Sequence, residues 1–144
     1  MIAIGSDHGG YALKTEVIKY LEGRGLEYKD YGCYDLSSCD YPTYGKAVAQ
    51  AVVSGEADRG IVICTTGIGI SITANKFKGI RCALCSDTES ARLTRLHNDA
   101  NILAMGAGII GPNLALSITE TFLDTPFSGE ERHARRVRLI EEDE

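Results

Sequence analysis

Gly60-Ile61-Val62-Ile63-Cys64-Thr65-Thr66-Gly67-Ile68-Gly69-Ile70-Ser71 is the stretch that decides the fold. Ile61 to Cys64 form an unbroken apolar run, short and rich in β-branched side chains. That pattern fits a strand buried on both faces of a parallel sheet. Two threonines and Gly67-x-Gly69 follow, and residues 70–76 can coil into a helix. A strand that turns through glycines into a helix gathers backbone N–H groups around one space, with the helix dipole behind them. Such a corner holds a phosphate, or an oxyanion formed during a reaction. Cys64 stands at its lip. A thiol beside a helix N-terminus has its thiolate favoured, which makes Cys64 a candidate base or nucleophile; a buried strand-end cysteine is the plainer alternative.

Upstream, residues 2–5 read as a first strand, and Ser6-Asp7-His8-Gly9-Gly10 is the turn after it. A helix follows with Leu13, Val17, Tyr20 and Leu21 on one face, ended by Gly23 and Gly25. Residues 26–31 give a short second strand, and the loop after it carries Asp40-Tyr41-Pro42. Residues 44–53 form a helix with Val48 and Val52 inward. Downstream come a strand over 80–85, a polar helix over about 87–95 and a loop holding His97-Asn98-Asp99. A strand over 102–105 then turns at Gly106-Ala107-Gly108 into a helix whose buried stripe is Leu114, Ile118 and Phe122. Pro126 and Gly129 break the chain before a basic helix over 132–138 and an acidic tail.

Five strands alternating with helices predict one doubly wound, Rossmann-like α/β domain over residues 1–144. Its layers are helix, five-stranded parallel sheet and helix, with a C-terminal helix extension. Ligands of such sheets bind beyond the carboxyl ends of the strands, near the point where strand order reverses. Asp7-His8, Asp40-Tyr41 and Cys64-Thr65-Thr66-Gly67 all fall at that edge.

Composition narrows the function. With 144 residues the chain can bury a full core without staples. Its net charge of −5 argues against wholesale nucleic-acid binding. No apolar run is long enough for a membrane span, and the N-terminus lacks a basic leader. The five cysteines, an odd number, then suggest reduced thiols in the cytoplasm. Cys82-Ala83-Leu84-Cys85 has redox-motif spacing but reads as a strand, where residues three apart point to opposite faces.

His8 and His97, placed in loops among small polar residues, are candidates for acid–base or anion-binding work. Arg132, Arg135 and Arg136 share one helix face and can grip a phosphate together; a solvated face beside glutamates is the alternative. Thr66 can relay a proton between adjacent oxygens, cap the next helix, or both.

Together these pieces resemble the ribose-5-phosphate isomerase B family, which includes the galactose-6-phosphate isomerase subunits. The matching segments are Gly5-Ser6-Asp7-His8-Gly9-Gly10, Asp40-Tyr41-Pro42, Cys64 through Ser71, Ala74-Asn75-Lys76, Gly79-Ile80-Arg81, His97-Asn98-Asp99-Ala100-Asn101 and Arg132-His133. The resemblance implies an aldose–ketose isomerase that works through an enediolate with neither metal nor organic cofactor. It implies Cys64 as the base between C2 and C1, Thr66 as a proton shuttle and His97 as the ring opener. Asp7, Tyr41 and Asn98 would hold sugar hydroxyls, and His8, Arg132 and Arg136 the phosphate. Thr65, Gly67, Ile68, Gly69 and Ser71 would line the site, with N–H groups from Gly67 to Ser71 stabilising the enediolate. The family shares its sites across a homodimer, and such dimers can pair into tetramers, so His97 and the arginines can come from a partner subunit. Three positions depart from the family pattern: Thr65 where many relatives have Gly, Gly108 where many have an arginine, and Glu130-Glu131 before Arg132. They leave a six-carbon aldose phosphate open as substrate. A non-catalytic phosphate- or nucleotide-binding module is the competing class, and it would not need the Cys64 thiol.

Overall fold

The computed structural model describes residues 1–142. Strands β1 (Ile2–Ser6), β2 (Tyr28–Asp30), β3 (Arg59–Cys64), β4 (Cys82–Leu84) and β5 (Ile102–Gly106) form one sheet. Its order is β2-β1-β3-β5-β4, and every pairing is parallel. The fold is therefore the expected Rossmann-like α/β arrangement. The chain moves outward from β1 to β2, then crosses back to β3, so strand order reverses between β1 and β3.

Helices α1 (Tyr11–Gly23), α2 (Tyr41–Val53), α3 (Ile68–Ala74), α4 (Thr88–Asn98) and α5 (Pro112–Asp124) connect or follow the strands. The final helix, α6 (Glu131–Glu141), lies against α4. Alternation along β3 sends Ile61 and Ile63 to the core under α1, α4 and α5, and Val62 and Cys64 to the core under α2 and α3. Both faces are filled, which is why the run is apolar throughout. The same alternation puts Cys82 and Cys85 in different cores.

Several helices differ from the sequence reading, and β2 and β4 are shorter than expected, at Tyr28–Asp30 and Cys82–Leu84. Helix α2 begins at Tyr41, because Pro42 in its first turn needs no N–H partner and its ring presets a helical φ. Helix α3 occupies 68–74, two residues earlier than expected. In α5 the buried stripe is Ala115, Ile118, Thr119 and Phe122, whereas Leu114 is exposed; the helix is rotated by one position. Helix α4 runs through His97 and Asn98, so these are helical residues and not loop residues. Asp87 caps its start by accepting from the Ser90 N–H, and Asp99, in left-handed backbone with φ 47°, ends it.

Candidate active site

Helix α3 begins one turn after Cys64. The Gly67 backbone has φ 77°, a left-handed conformation that turns the chain from β3 into α3. A Cβ there would lie 2.7 Å from the Met105 carbonyl carbon and 2.9 Å from the Gly106 nitrogen. Only glycine fits both the angle and the space. The turn aims the Gly67 N–H at Cys64 Sγ, 3.1 Å away. The next N–H, of Ile68, is accepted by Thr66 Oγ1 at 3.2 Å, and that of Ser71 by the Gly67 carbonyl at 3.2 Å. Among the described residues, the N–H groups of Gly69 and Ile70 are left without a partner at the head of the helix. Ser71 Oγ donates to the Ile68 carbonyl and so braces the turn.

Other elements close on this corner. Tyr41, in the first turn of α2, lays its ring over Gly69, where a Cβ would approach the ring to 2.5 Å. The turn after β1 rests on the end of β3: a Cβ on Gly10 would come within 2.4 Å of the Ile63 carbonyl oxygen. Within that turn, Asp7 is buried and its Oδ1 accepts the Gly10 N–H at 3.0 Å. His8 Nδ1 faces the Cys39 N–H at 3.2 Å. A neutral His8 that accepts there must carry its proton on Nε2, which leaves that N–H free to donate. The structure thus brings Asp7, His8, Tyr41, Thr65, Thr66, Gly67, Ile68, Gly69 and Ser71 around Cys64, at the carboxyl edge of the sheet.

His97, Asn98, Arg132 and Arg136 are placed elsewhere. Helix α4 runs back against the strands, so its last turn arrives where β5 begins. Gly60 at the start of β3 donates to the Asn101 carbonyl there. Cys64 ends that strand, roughly 13 Å further along at about 3.3 Å per residue. His97 stacks on His133 of α6, with ring centroids 4.4 Å apart. Arg132 pairs with Glu130 at 3.1 Å and stays largely exposed. His133 is buried, with Nδ1 2.8 Å from Ser128 Oγ. Burial lowers its pKa below the ordinary histidine value, as do His97, Arg132 and Arg136 nearby, against an opposing pull from Glu130. The two groups of candidate residues therefore lie at opposite edges of the sheet within one chain. Two surface cavities, of about 520 and 610 Å³, lie away from Cys64.

Two supports had no clear signal in the sequence. Arg95 is buried and donates to the Ala100 and Thr125 carbonyls and to Asp99, fixing the end of α4. Lys14 is buried against Asp30 and donates to the Cys33 carbonyl, which anchors the loop that carries Cys39 to His8. A lysine or arginine on a helix reads as surface; only the acceptors folded around it show otherwise. No group of three or more His, Cys, Asp or Glu among the described residues could hold a metal.

The sequence profile of the Ribose/Galactose Isomerase family matches residues 2–140. The chain belongs to that family. It is 48% identical to ribose-5-phosphate isomerase B of Escherichia coli, over 96% of this chain and 93% of that one. It is 39% identical to the galactose-6-phosphate isomerase subunit LacB of Clostridium acetobutylicum, over 99% and 82%. The solved structure of Clostridium thermocellum ribose-5-phosphate isomerase B superposes with a TM-score of 0.95 at 56% identity, covering 96% of this chain and 93% of that one. The β3–α3 corner and the His97 turn both lie inside the region matched by the family profile.

Proposed function

We propose that the protein interconverts ribose 5-phosphate and ribulose 5-phosphate. The observation that carries this reading is the Cys64 thiol facing unpaired N–H groups across a glycine turn. As a thiolate, Cys64 removes the proton from C2 of the open-chain aldose and returns it to C1. The negative charge that builds on the enediolate oxygen is met by N–H donors, each worth about 3–4 kcal/mol in comparable sites. Thr66 accepts the Ile68 N–H, so its own hydroxyl proton is free to pass between the two substrate oxygens. His8 offers its Nε2 N–H to the phosphate.

His97, Asn98, Arg132 and Arg136 enter from a second copy of the chain, because no side chain spans the sheet from one edge to the other. A homodimer with two composite sites follows, and a cytoplasmic location suits its phosphorylated substrate. No helix among the described residues is long and apolar enough to cross a membrane.

The test is NMR of ribose 5-phosphate with the protein in D₂O, beside the Cys64→Ala variant. Ribulose 5-phosphate with deuterium at C1, lost in a folded Cys64→Ala protein, is the expected result. Unchanged substrate with the wild-type protein overturns this reading. Turnover of only a six-carbon aldose 6-phosphate would move the assignment to that sugar.

A further inference from the structure

Thr65 follows Cys64 directly and is exposed at the mouth of the corner. Its surroundings are unusual for an exposed threonine. A Cβ on Gly9 would lie 2.2 Å from Thr65 Oγ1, and a Cβ on Gly108 would lie 3.1 Å from Thr65 Cγ2. The side chain thus stands in the gap between the turns after β1 and β5, with bare glycine on either side. Its backbone is pinned, since the Thr65 carbonyl accepts the Gly108 N–H at 2.7 Å. Its hydroxyl makes no hydrogen bond among the described residues, whereas the neighbouring Thr66 hydroxyl accepts the Ile68 N–H. A pinned, unpartnered side chain beside the thiol and the Asp7-His8 turn borders the space a substrate must fill.

We propose that Thr65 determines specificity, its side chain limiting the length of the sugar phosphate seated between Cys64 and His8. The inference rests on the isomerase reading and deepens it. With Cys64 fixed at C2 and His8 at the phosphate, a sixth carbon lengthens the chain between two anchored ends. The extra carbon must bow outward, and the gap between Gly9 and Gly108 is where Thr65 already stands. Discrimination of one carbon by a filled gap is typically about 10- to 200-fold.

The experiment measures kcat/KM for ribose 5-phosphate and allose 6-phosphate, which repeats the ribose hydroxyl configuration with one carbon more. Wild type, Thr65→Gly, Thr65→Ala and Thr65→Val are compared, with circular dichroism confirming each fold. The ratio of six- to five-carbon kcat/KM is expected to rise about tenfold in Thr65→Gly and less in Thr65→Ala. Thr65→Val, which keeps the volume and lacks the hydroxyl, is expected to hold the wild-type ratio. An unchanged ratio in both folded Gly and Ala variants overturns the proposal, as does an equal loss on both sugars. A wild-type protein active on neither sugar defeats the isomerase reading itself, which separates the two failures.

Discussion

At Cys64 the sulfur receives the Gly67 N–H, and the residue as a whole is 5% exposed. Serine in its place keeps the shape and offers a far weaker base. Cys64→Ser is therefore expected to lower kcat by about 10²–10⁴-fold. Its KM should change little, because proton transfer belongs to the transition state and not to binding; steady-state kinetics checks both. Three of the other thiols, those of Cys33, Cys82 and Cys85, are poor substitutes. Burial pushes Cys85 up to about 11 and raises Cys82 and Cys33 as well. His133 makes a second residue-level prediction. Its folded-state pKa lies below the ordinary 6.5, so between the two values the unfolded chain binds more protons than the native one. Its contribution to stability is thus complete above pH 6.5 and is lost as pH falls through that window. His133→Asn should flatten the decline between neutral and mildly acidic pH. Urea unfolding of both proteins on either side of the window checks the slope, and an equal decline in the variant refutes the assignment.

The β3–α3 corner behaves as one element because three of its groups hold each other: the Gly67 N–H to Cys64, the Ile68 N–H to Thr66, and Ser71 Oγ to the Ile68 carbonyl. Gly67→Ala meets a left-handed φ and backbone atoms of β5 within 3 Å. The angle alone costs about 1–2 kcal/mol, and relief of the clash has to move either α3 or β5. A lower Tm with kcat reduced more than substrate binding is the expected pattern; full activity at wild-type Tm would show that the turn tolerates a side chain. This corner was legible from residues 60–71 because a doubly buried strand and a glycine turn each have a strong local signature. The end of α4 was not. His97-Asn98-Asp99 reads as a loop by its polarity, yet Arg95 holds the Asp99 side chain and the Ala100 carbonyl, Arg81 holds the Asn98 and Asp99 carbonyls, and the helix runs through Asn98. Tyr41 reads as a loop residue for a similar reason, since a helix starting at 44 leaves Asp40-Tyr41-Pro42 outside it, whereas Pro42 sits in the first turn of α2. In both cases a tertiary or capping interaction outweighed local composition.

On the scale of the molecule, the sheet separates what the sequence lists together. Candidate residues could be named from their types and their family motifs; where they lie relative to Cys64 depends on helix direction, which no local pattern encodes. Helix α4 descends from the carboxyl edge and delivers His97 to the opposite one, away from Cys64 of the same chain. In the proposed shared site a second copy presents His97, and this makes complementation the decisive measurement. Cys64→Ala and His97→Asn proteins, each inactive alone, are mixed and allowed to exchange subunits. Random re-pairing makes half of the dimers mixed, and each mixed dimer holds one site with both changes and one with neither. Activity is expected to return to about a quarter of the wild-type value. Native mass spectrometry confirms that mixed dimers have formed. If they form and activity stays at background, both residues serve the same chain's site, and the shared-site dimer is wrong. If a quarter returns, the distance across the sheet is bridged by association, and the isomerase cannot work below the concentration at which its dimer holds.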